Sequence, residues 1–213
     1  MNIDKQSLLL YAVTDRSWLK GQTLAMQVEE CLKGGVTFVQ LREKNVSDEA
    51  FLAEAREVKK ITDLYQIPFV INDNVEVALA CGADGVHIGQ KDQPVAEVRK
   101  KVGPHKIVGV SAQTVEQARQ AEADGADYLG VGAVFPTSTK KDADTLSFQQ
   151  LQAICQAVSI PVVAIGGIDE NNVEQLKGIG IDGIAVVSAI FSKADIRQAS
   201  KQLHQQAKWV VRP

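Results

Sequence analysis

Eight short apolar runs alternate with helical patterns along 213 residues, and this predicts a single (β/α)8 barrel of the TIM type, with little decoration. Three observations carry the prediction. The runs are near-continuously apolar, as strands buried on both faces must be, and this implies a parallel sheet covered by helices. Eight units in about 200 residues leave room for a closed barrel and little else. A glycine-led segment also recurs four times. Gly34-Gly35-Val36-Thr37-Phe38-Val39 resembles Gly82-Ala83-Asp84-Gly85-Val86-His87, Gly125-Ala126-Asp127-Tyr128-Leu129-Gly130 and Gly180-Ile181-Asp182-Gly183-Ile184-Ala185. In each copy a helical pattern ends at glycine and a buried strand follows.

Four further runs, at 8–13, 69–71, 107–110 and 162–165, lie between these copies. Helices are expected over 48–64, 114–123 and 148–157, with Ser47 and Asp169 at N-cap positions. Pro68 and Pro161 each stand just before a strand, where a missing N–H costs little. The run after Gly125 is expected to continue until Pro136, which cannot extend a central ladder. An open doubly wound sheet is the competing architecture. It lacks its glycine-rich fingerprint, because Val13-Thr14-Asp15-Arg16 follows the first strand. No linker or second domain is visible, so residues 1–213 are expected to form one domain.

Composition narrows function. Hydrophobic content of 45% with 23% charged residues is ordinary for a soluble globular chain. The net charge of −3 gives no overall field favouring nucleic acid or an anionic membrane. The early apolar run is too short for a signal core or a membrane span, so the cytoplasm is expected. Cys31, Cys81 and Cys155 are far apart in apolar helical patterns and read as small buried residues. His87, His105 and His204 show no ligand spacing. His87 reads as a hydrogen-bonded core histidine, with the side it faces left open.

In such a barrel the chemistry lies where strands end. After the second strand comes Gln40-Leu41-Arg42-Glu43-Lys44. Alternation sends Gln40, Arg42 and Lys44 one way and Leu41 and Glu43 the other. The third strand ends at Asn72-Asp73 and the fourth leads to Gln90-Lys91-Asp92. Two carboxylates with room for water suit Mg²⁺ shared with a substrate phosphate. Both positions also suit helix N-caps, before Val75 and before Pro94. The fifth strand leads to Ser111, and the sixth to Thr137, Ser138, Thr139 and Lys140. The seventh ends at Gly166-Gly167 and the eighth at Val187-Ser188. The last two loops match the usual phosphate site of these barrels. Three cations plus a metal suit a diphosphate, and the glycine and hydroxyl side suits a monophosphate. No Ser-His-Asp set or Schiff-base lysine is evident.

At these residues the chain resembles the thiamine-phosphate synthase family. The resemblance rests on Gln40 to Lys44, Ile71-Asn72-Asp73, Gly85 to Gln90, Gly109-Val110-Ser111, Pro136 to Lys140, Ala164 to Ile168 and Val186 to Ile190. It implies that two phosphorylated small molecules, a pyrimidine diphosphate and a thiazole phosphate, are joined with loss of diphosphate by a dissociative route. It implies that Gln40, Leu41, Arg42, Glu43, Lys44, Asn72, Ser111 and Lys140 hold the pyrimidine diphosphate. It assigns Asp73 and Asp92 to Mg²⁺, and Thr137, Ser138, Thr139, Gly167, Val187 and Ser188 to the thiazole phosphate. Arg42, Lys44, Ser111 and Lys140 are the expected catalytic groups, with chemical action or mere positioning by Ser111 left open. Asn74 and Glu76 depart from the Arg and Asp expected in many relatives, outside the inferred contact set. The alternatives are an isomerase of thiazole carboxylate phosphate from the same superfamily and a non-catalytic phosphate-binding barrel.

Overall fold

The computed structural model describes residues 3–137 and 145–211. Eight parallel strands close into a barrel in sequence order. They are β1 (Leu10–Val13), β2 (Phe38–Leu41), β3 (Phe69–Asn72), β4 (Gly85–Ile88), β5 (Ile107–Ala112), β6 (Tyr128–Val131), β7 (Val162–Ile165) and β8 (Gly183–Val186). Pairing of β1 with both β2 and β8 closes the ring. The helices are α1 (Leu24–Lys33), α2 (Asp48–Leu64), α3 (Val75–Ala80), α4 (Val95–Val102), α5 (Val115–Ala123), α6 (Phe148–Ala157), α7 (Ser188–Phe191) and α8 (Ile196–Val211).

α2 shows why these segments are helical. The Ser47 side chain accepts from the Ala50 N–H, and Asp48 and Glu49 sit at the positive end of the helix dipole. Phe51, Ala55, Val58 and Thr62 form its buried stripe at helical spacing. Tyr65 ends it, and Gln66 then turns through a positive φ of 56° before Pro68.

The recurring glycine segment has a second use beyond ending helices. In its four copies a polar side chain accepts an N–H at the start of the preceding strand, from its first residue in three copies and from its second, Val108, in the copy at Asp127. Thr37 Oγ1 takes Leu10 N at 2.9 Å and Asp84 Oδ2 takes Phe69 N at 2.9 Å. Asp127 Oδ2 takes Val108 N at 2.8 Å, and Asp182 Oδ2 takes Val162 N at 2.9 Å. Each even strand therefore satisfies a backbone donor of its odd neighbour at the floor of the barrel. Arg99 braces the third copy through Asp127 Oδ2 at 2.5 Å and Gly125 O at 2.8 Å.

Strand alternation divides the core in two. Val39, Leu41, Ile71, Val86, Val110, Leu129, Val131 and Ala164 face the helices. Tyr11, Val13, Phe38, Val70, Tyr128 and Val163 fill the barrel with Leu8 and Ala185. Tyr11, Phe38 and Tyr128 meet edge-on, with centroids 4.6, 5.6 and 5.9 Å apart, and plug the barrel beneath its mouth. Room for the Tyr128 ring comes from Gly109, where a Cβ would lie 2.2 Å from Tyr128 Cζ.

Several expected boundaries shift. Residues Lys5–Leu8 form a 3-10 turn capped by Asp4, so β1 starts at Leu10, although Leu8 still packs inside the barrel. β6 stops at Val131, well before Pro136. Beyond it the chain leaves the ladder and lies over the turn after β7, with Val134 N on Ile165 O and Phe135 N on Gly166 O, both at 3.0 Å. The helix expected after Asp169 is reduced to a 3-10 turn, Val173–Leu176, whose N-cap is Asn172. Asp169 instead accepts from Asn171 N at 2.8 Å. Cys31 is buried, whereas Cys81 and Cys155 are half-buried. Burial pushes the Cys155 thiol up to about 12, which keeps it protonated and poorly nucleophilic. Among the described residues no helix is long and apolar enough to cross a membrane.

Candidate active site

The inward alternation of the barrel continues upward from the aromatic plug to its C-terminal mouth. Gln40 is buried at the end of β2, its amide nitrogen donating to the Tyr11 hydroxyl. Arg42 follows on the same side. Its N–H donates to Thr14 Oγ1 at 3.0 Å, and its Nη1 lies 4.0 Å from Asp15 Oδ2. The loop after β1 thus steadies the end of β2. Leu41 faces the helix-side core and is fully buried. Glu43 is buried against Arg16 Nε at 2.8 Å. Any contact of Leu41 or Glu43 with a ligand at the mouth therefore falls to backbone atoms. Arg16 also holds Glu54 at 2.9 Å, where burial and then the Glu43 charge raise the Glu54 carboxyl above its ordinary range.

The third and fourth loops bring two acids together. Asn74, not Asp73, caps α3, because its side chain accepts from Val77 N. Asp73 adopts a left-handed φ of 62°, with its N–H on His87 O at 2.8 Å. This frees its carboxyl for the rim. Asp92 does not cap α4 either, since the N-cap there is Pro94 without a side-chain bond. Its Oδ2 takes Gly89 N at 2.7 Å. The Asp73 carboxyl is raised to about 6, first by desolvation and then by a hydrogen bond and charge repulsion from Asp92. Lys44 and Asn72 pull it the other way, so four of the expected residues share one corner. Among the described residues no group of three or more His, Cys, Asp and Glu could hold a metal ion. A cation here would rest on two carboxylates, water and ligand oxygens, as suits Mg²⁺.

Ser111 stands inward on β5, with Oγ 3.0 Å from His87 Nε2. His87 faces the barrel interior and is buried, its Nδ1 2.9 Å from the Tyr128 hydroxyl. Gln90 Nε2 donates to Ser111 O at 2.7 Å and ties the fourth loop to the fifth.

Across the mouth, the turns after β6 and β7 pack closely. Gly166 and Gly167 have φ of 100° and 66°, and a Cβ on Gly167 would meet Pro136 O at 2.5 Å. Both the left-handed backbone and the close approach require glycine there. Thr137 is one residue further along this contact, and Ser138, Thr139 and Lys140 lie outside the described residues. Asn172 Nδ2 donates to Gly167 O at 2.8 Å while its Oδ1 accepts Asp169 N at 2.9 Å. Val187 and the exposed Ser188 sit at the start of α7.

Sequence reasoning missed Tyr11, Tyr128 and Asn172. The two tyrosines lie in apolar runs and look like core. Asn172 was hidden by the weak helical signal after Asp169.

A closed parallel barrel whose C-terminal rim gathers cations and paired acids on one side, with a glycine turn opposite, has the architecture of a barrel enzyme acting on small molecules. Comparison with known proteins narrows this class. Residues 10–190 match the family model described as thiamine monophosphate synthase. The thiamine-phosphate synthase of Clostridium tetani is 57% identical over 194 residues, covering 91% of this chain and 93% of that protein. That of Clostridioides difficile is 48% identical and covers 99% of both. A solved thiamine phosphate pyrophosphorylase from Pyrococcus furiosus superposes with a TM-score of 0.89 at 39% identity, covering 97% of this chain and 98% of that one. The chain belongs to the thiamine monophosphate synthase family and is a transferase. The isomerase alternative finds no support in these relatives.

Proposed function

We propose that the protein transfers the 4-amino-2-methylpyrimidin-5-ylmethyl group from its diphosphate to the ring nitrogen of a thiazole phosphate, yielding thiamine phosphate and diphosphate. The observation that carries this reading is the convergence of Lys44, Asn72, Asp73 and Asp92 at one corner of the mouth. The glycine turn pinned by Asn172 forms a separate cradle across from it. Two anion sites of different character suit two phosphorylated substrates.

On this reading the bond from the exocyclic carbon to the diphosphate oxygen breaks first, and its electron pair leaves with the diphosphate. The thiazole nitrogen then forms the new carbon–nitrogen bond with its lone pair. Arg42, Lys44 and Lys140 neutralise charge as it develops on the leaving group, without solvent reorganisation. Gln40, Asn72 and Ser111 orient the pyrimidine. The backbone of Leu41 and Glu43 completes that wall, and Glu43 and Arg16 brace it. Thr137, Ser138, Thr139, Gly167, Val187 and Ser188 receive the thiazole phosphate.

Asp73 and Asp92 would hold Mg²⁺. The fit is chemical: two mutually repelling carboxylates, one of them raised to about 6, are relieved by a divalent cation. When bound, Mg²⁺ supplies charge neutralisation for the diphosphate. We further read residues 1–213 as one barrel domain and the protein as cytoplasmic.

Diphosphate release tests the proposal. Purified protein is mixed with each substrate alone and with both, with and without Mg²⁺. Release only with both substrates and metal supports a synthase. Release with no thiazole phosphate present, or none under any condition, overturns it.

A further inference from the structure

One hydrogen-bonded chain of five side chains crosses the barrel interior just under the mouth. Gln40 donates its amide N–H to the Tyr11 hydroxyl. The Tyr11 and Tyr128 hydroxyls are 2.8 Å apart, Tyr128 reaches His87 Nδ1 at 2.9 Å, and His87 Nε2 reaches Ser111 Oγ at 3.0 Å. Strands β1, β2, β4, β5 and β6 each contribute one member.

Proton counting sets the direction. The amide nitrogen of Gln40 can only donate, so the Tyr11 oxygen accepts there. Tyr11 is 2% exposed and Tyr128 is fully buried. If Tyr128 gave its proton to Tyr11, the Tyr11 proton would be left buried without an acceptor, at a penalty. Tyr11 therefore donates to Tyr128, and Tyr128 donates to His87 Nδ1. A neutral imidazole that accepts at Nδ1 carries its hydrogen on Nε2, and that hydrogen points to Ser111 Oγ. The Ser111 proton is then left to point towards a ligand. The Gln40 carbonyl oxygen is the acceptor its amide retains. An aminopyrimidine edge carries one N–H donor beside one ring-nitrogen acceptor, which complements this pair.

We propose that Tyr11, Tyr128 and His87 are positioning residues. Their chain fixes the amide of Gln40 as an acceptor and the hydroxyl of Ser111 as a donor, and so orients the pyrimidine substrate. The identity of that substrate rests on the function proposed above. The Ser111–His87 contact has the spacing of a nucleophile and its base. The direction of the chain is opposite: His87 gives a hydrogen to Ser111 and cannot take one from it. Tyr128 also stands where a triad would place a carboxylate. Ser111 is in this arrangement a hydrogen-bond donor and forms no covalent intermediate.

The experiment joins a ring signature to kinetics. Nitrogen-15 NMR of the labelled imidazole reads the tautomer of His87 in the substrate-free protein, independently of any activity. The neutral Nε2–H form is expected. Tyr128→Phe keeps the ring in the Gly109 cradle and removes only the hydroxyl. The variant is expected to lose the single tautomer and to raise KM for the pyrimidine diphosphate about tenfold, the worth of one hydrogen bond, with KM for the thiazole phosphate unchanged. Tyr11→Phe interrupts the chain on the Gln40 side and serves if the first variant does not fold. An Nδ1–H form or an imidazolium in the unaltered protein overturns the proposal. So does an unchanged KM for the pyrimidine diphosphate, or an equal rise in both KM values, which a general loss of structure would give. Absence of diphosphate release by the unaltered protein would instead refute the assigned reaction, with the tautomer still deciding the direction of the chain.

Discussion

Gly109→Ala is the most direct probe of the barrel interior. Gly109 does not have a positive φ, so its backbone accepts alanine and the cost is purely steric. The added Cβ would lie 2.2 Å from Tyr128 Cζ, 2.3 Å from its hydroxyl oxygen and 2.4 Å from Cε1. Contacts that short require the ring to move. Tyr11 and Phe38 wall it at centroid distances of 5.9 and 5.6 Å, with His87 at 5.5 Å. Overpacking where neighbours cannot give costs about 3 kcal/mol. For a chain of this size that corresponds to a fall in Tm of roughly 6–12 °C. Displacing the hydroxyl also breaks its bond to His87, so activity should fall in the surviving folded fraction. The assay is thermal unfolding by circular dichroism beside Gly82→Ala. Gly82 has a φ of 72° and open space around it, so alanine there carries only backbone strain of about 1 kcal/mol. A Tm for Gly109→Ala within about 2 °C of the parent, or a fall no larger than that of Gly82→Ala, would refute the packing argument.

Mg²⁺ affinity, read by calorimetry, should weaken as pH falls through about 6, where Asp73 takes up a proton. The same raised value makes metal-free folded protein hold a proton that the unfolded chain releases, so the contribution of this group to stability is present near pH 4 and lost as pH rises to about 6. Asp92→Asn should bring the Asp73 titration, followed by NMR, back towards the ordinary carboxylate range; an unmoved titration would contradict the pairing. Asn172→Ala removes the bonds to Gly167 O and Asp169 N, and KM for the thiazole phosphate should rise about three- to tenfold with that for the pyrimidine diphosphate unchanged. Lys140→Ala should lower turnover about a hundredfold or more while barely weakening thiazole phosphate binding, and equal turnover would remove Lys140 from the catalytic set.

Burial periodicity is a local property, and so the barrel could be read from the chain before any coordinates. The apolar runs, the cap at Ser47 and the alternation through Gln40, Arg42 and Lys44 each need only a few consecutive residues. The acids at Asp73 and Asp92 were equally visible, but not their freedom from capping duty. That depended on Asn74 taking the cap of α3 and on the left-handed turn at Asp73. The N-cap read at Asp169 misled because the segment after β7 closes after one 3-10 turn and spends Asn172 on the glycine loop.

The order of the strands and the rim to which Gln40, Arg42, Asp73 and Asp92 belong were written in the residues themselves. The interior chain from Gln40 to Ser111 was decided by closure alone. Its five members are spread over a hundred residues, and two of them look like ordinary core aromatics. They meet because the stagger of the ring sets Asn72 beside His87, and His87 beside Gly109. That register is a property of the whole closed sheet, and no stretch of chain shorter than the barrel contains it.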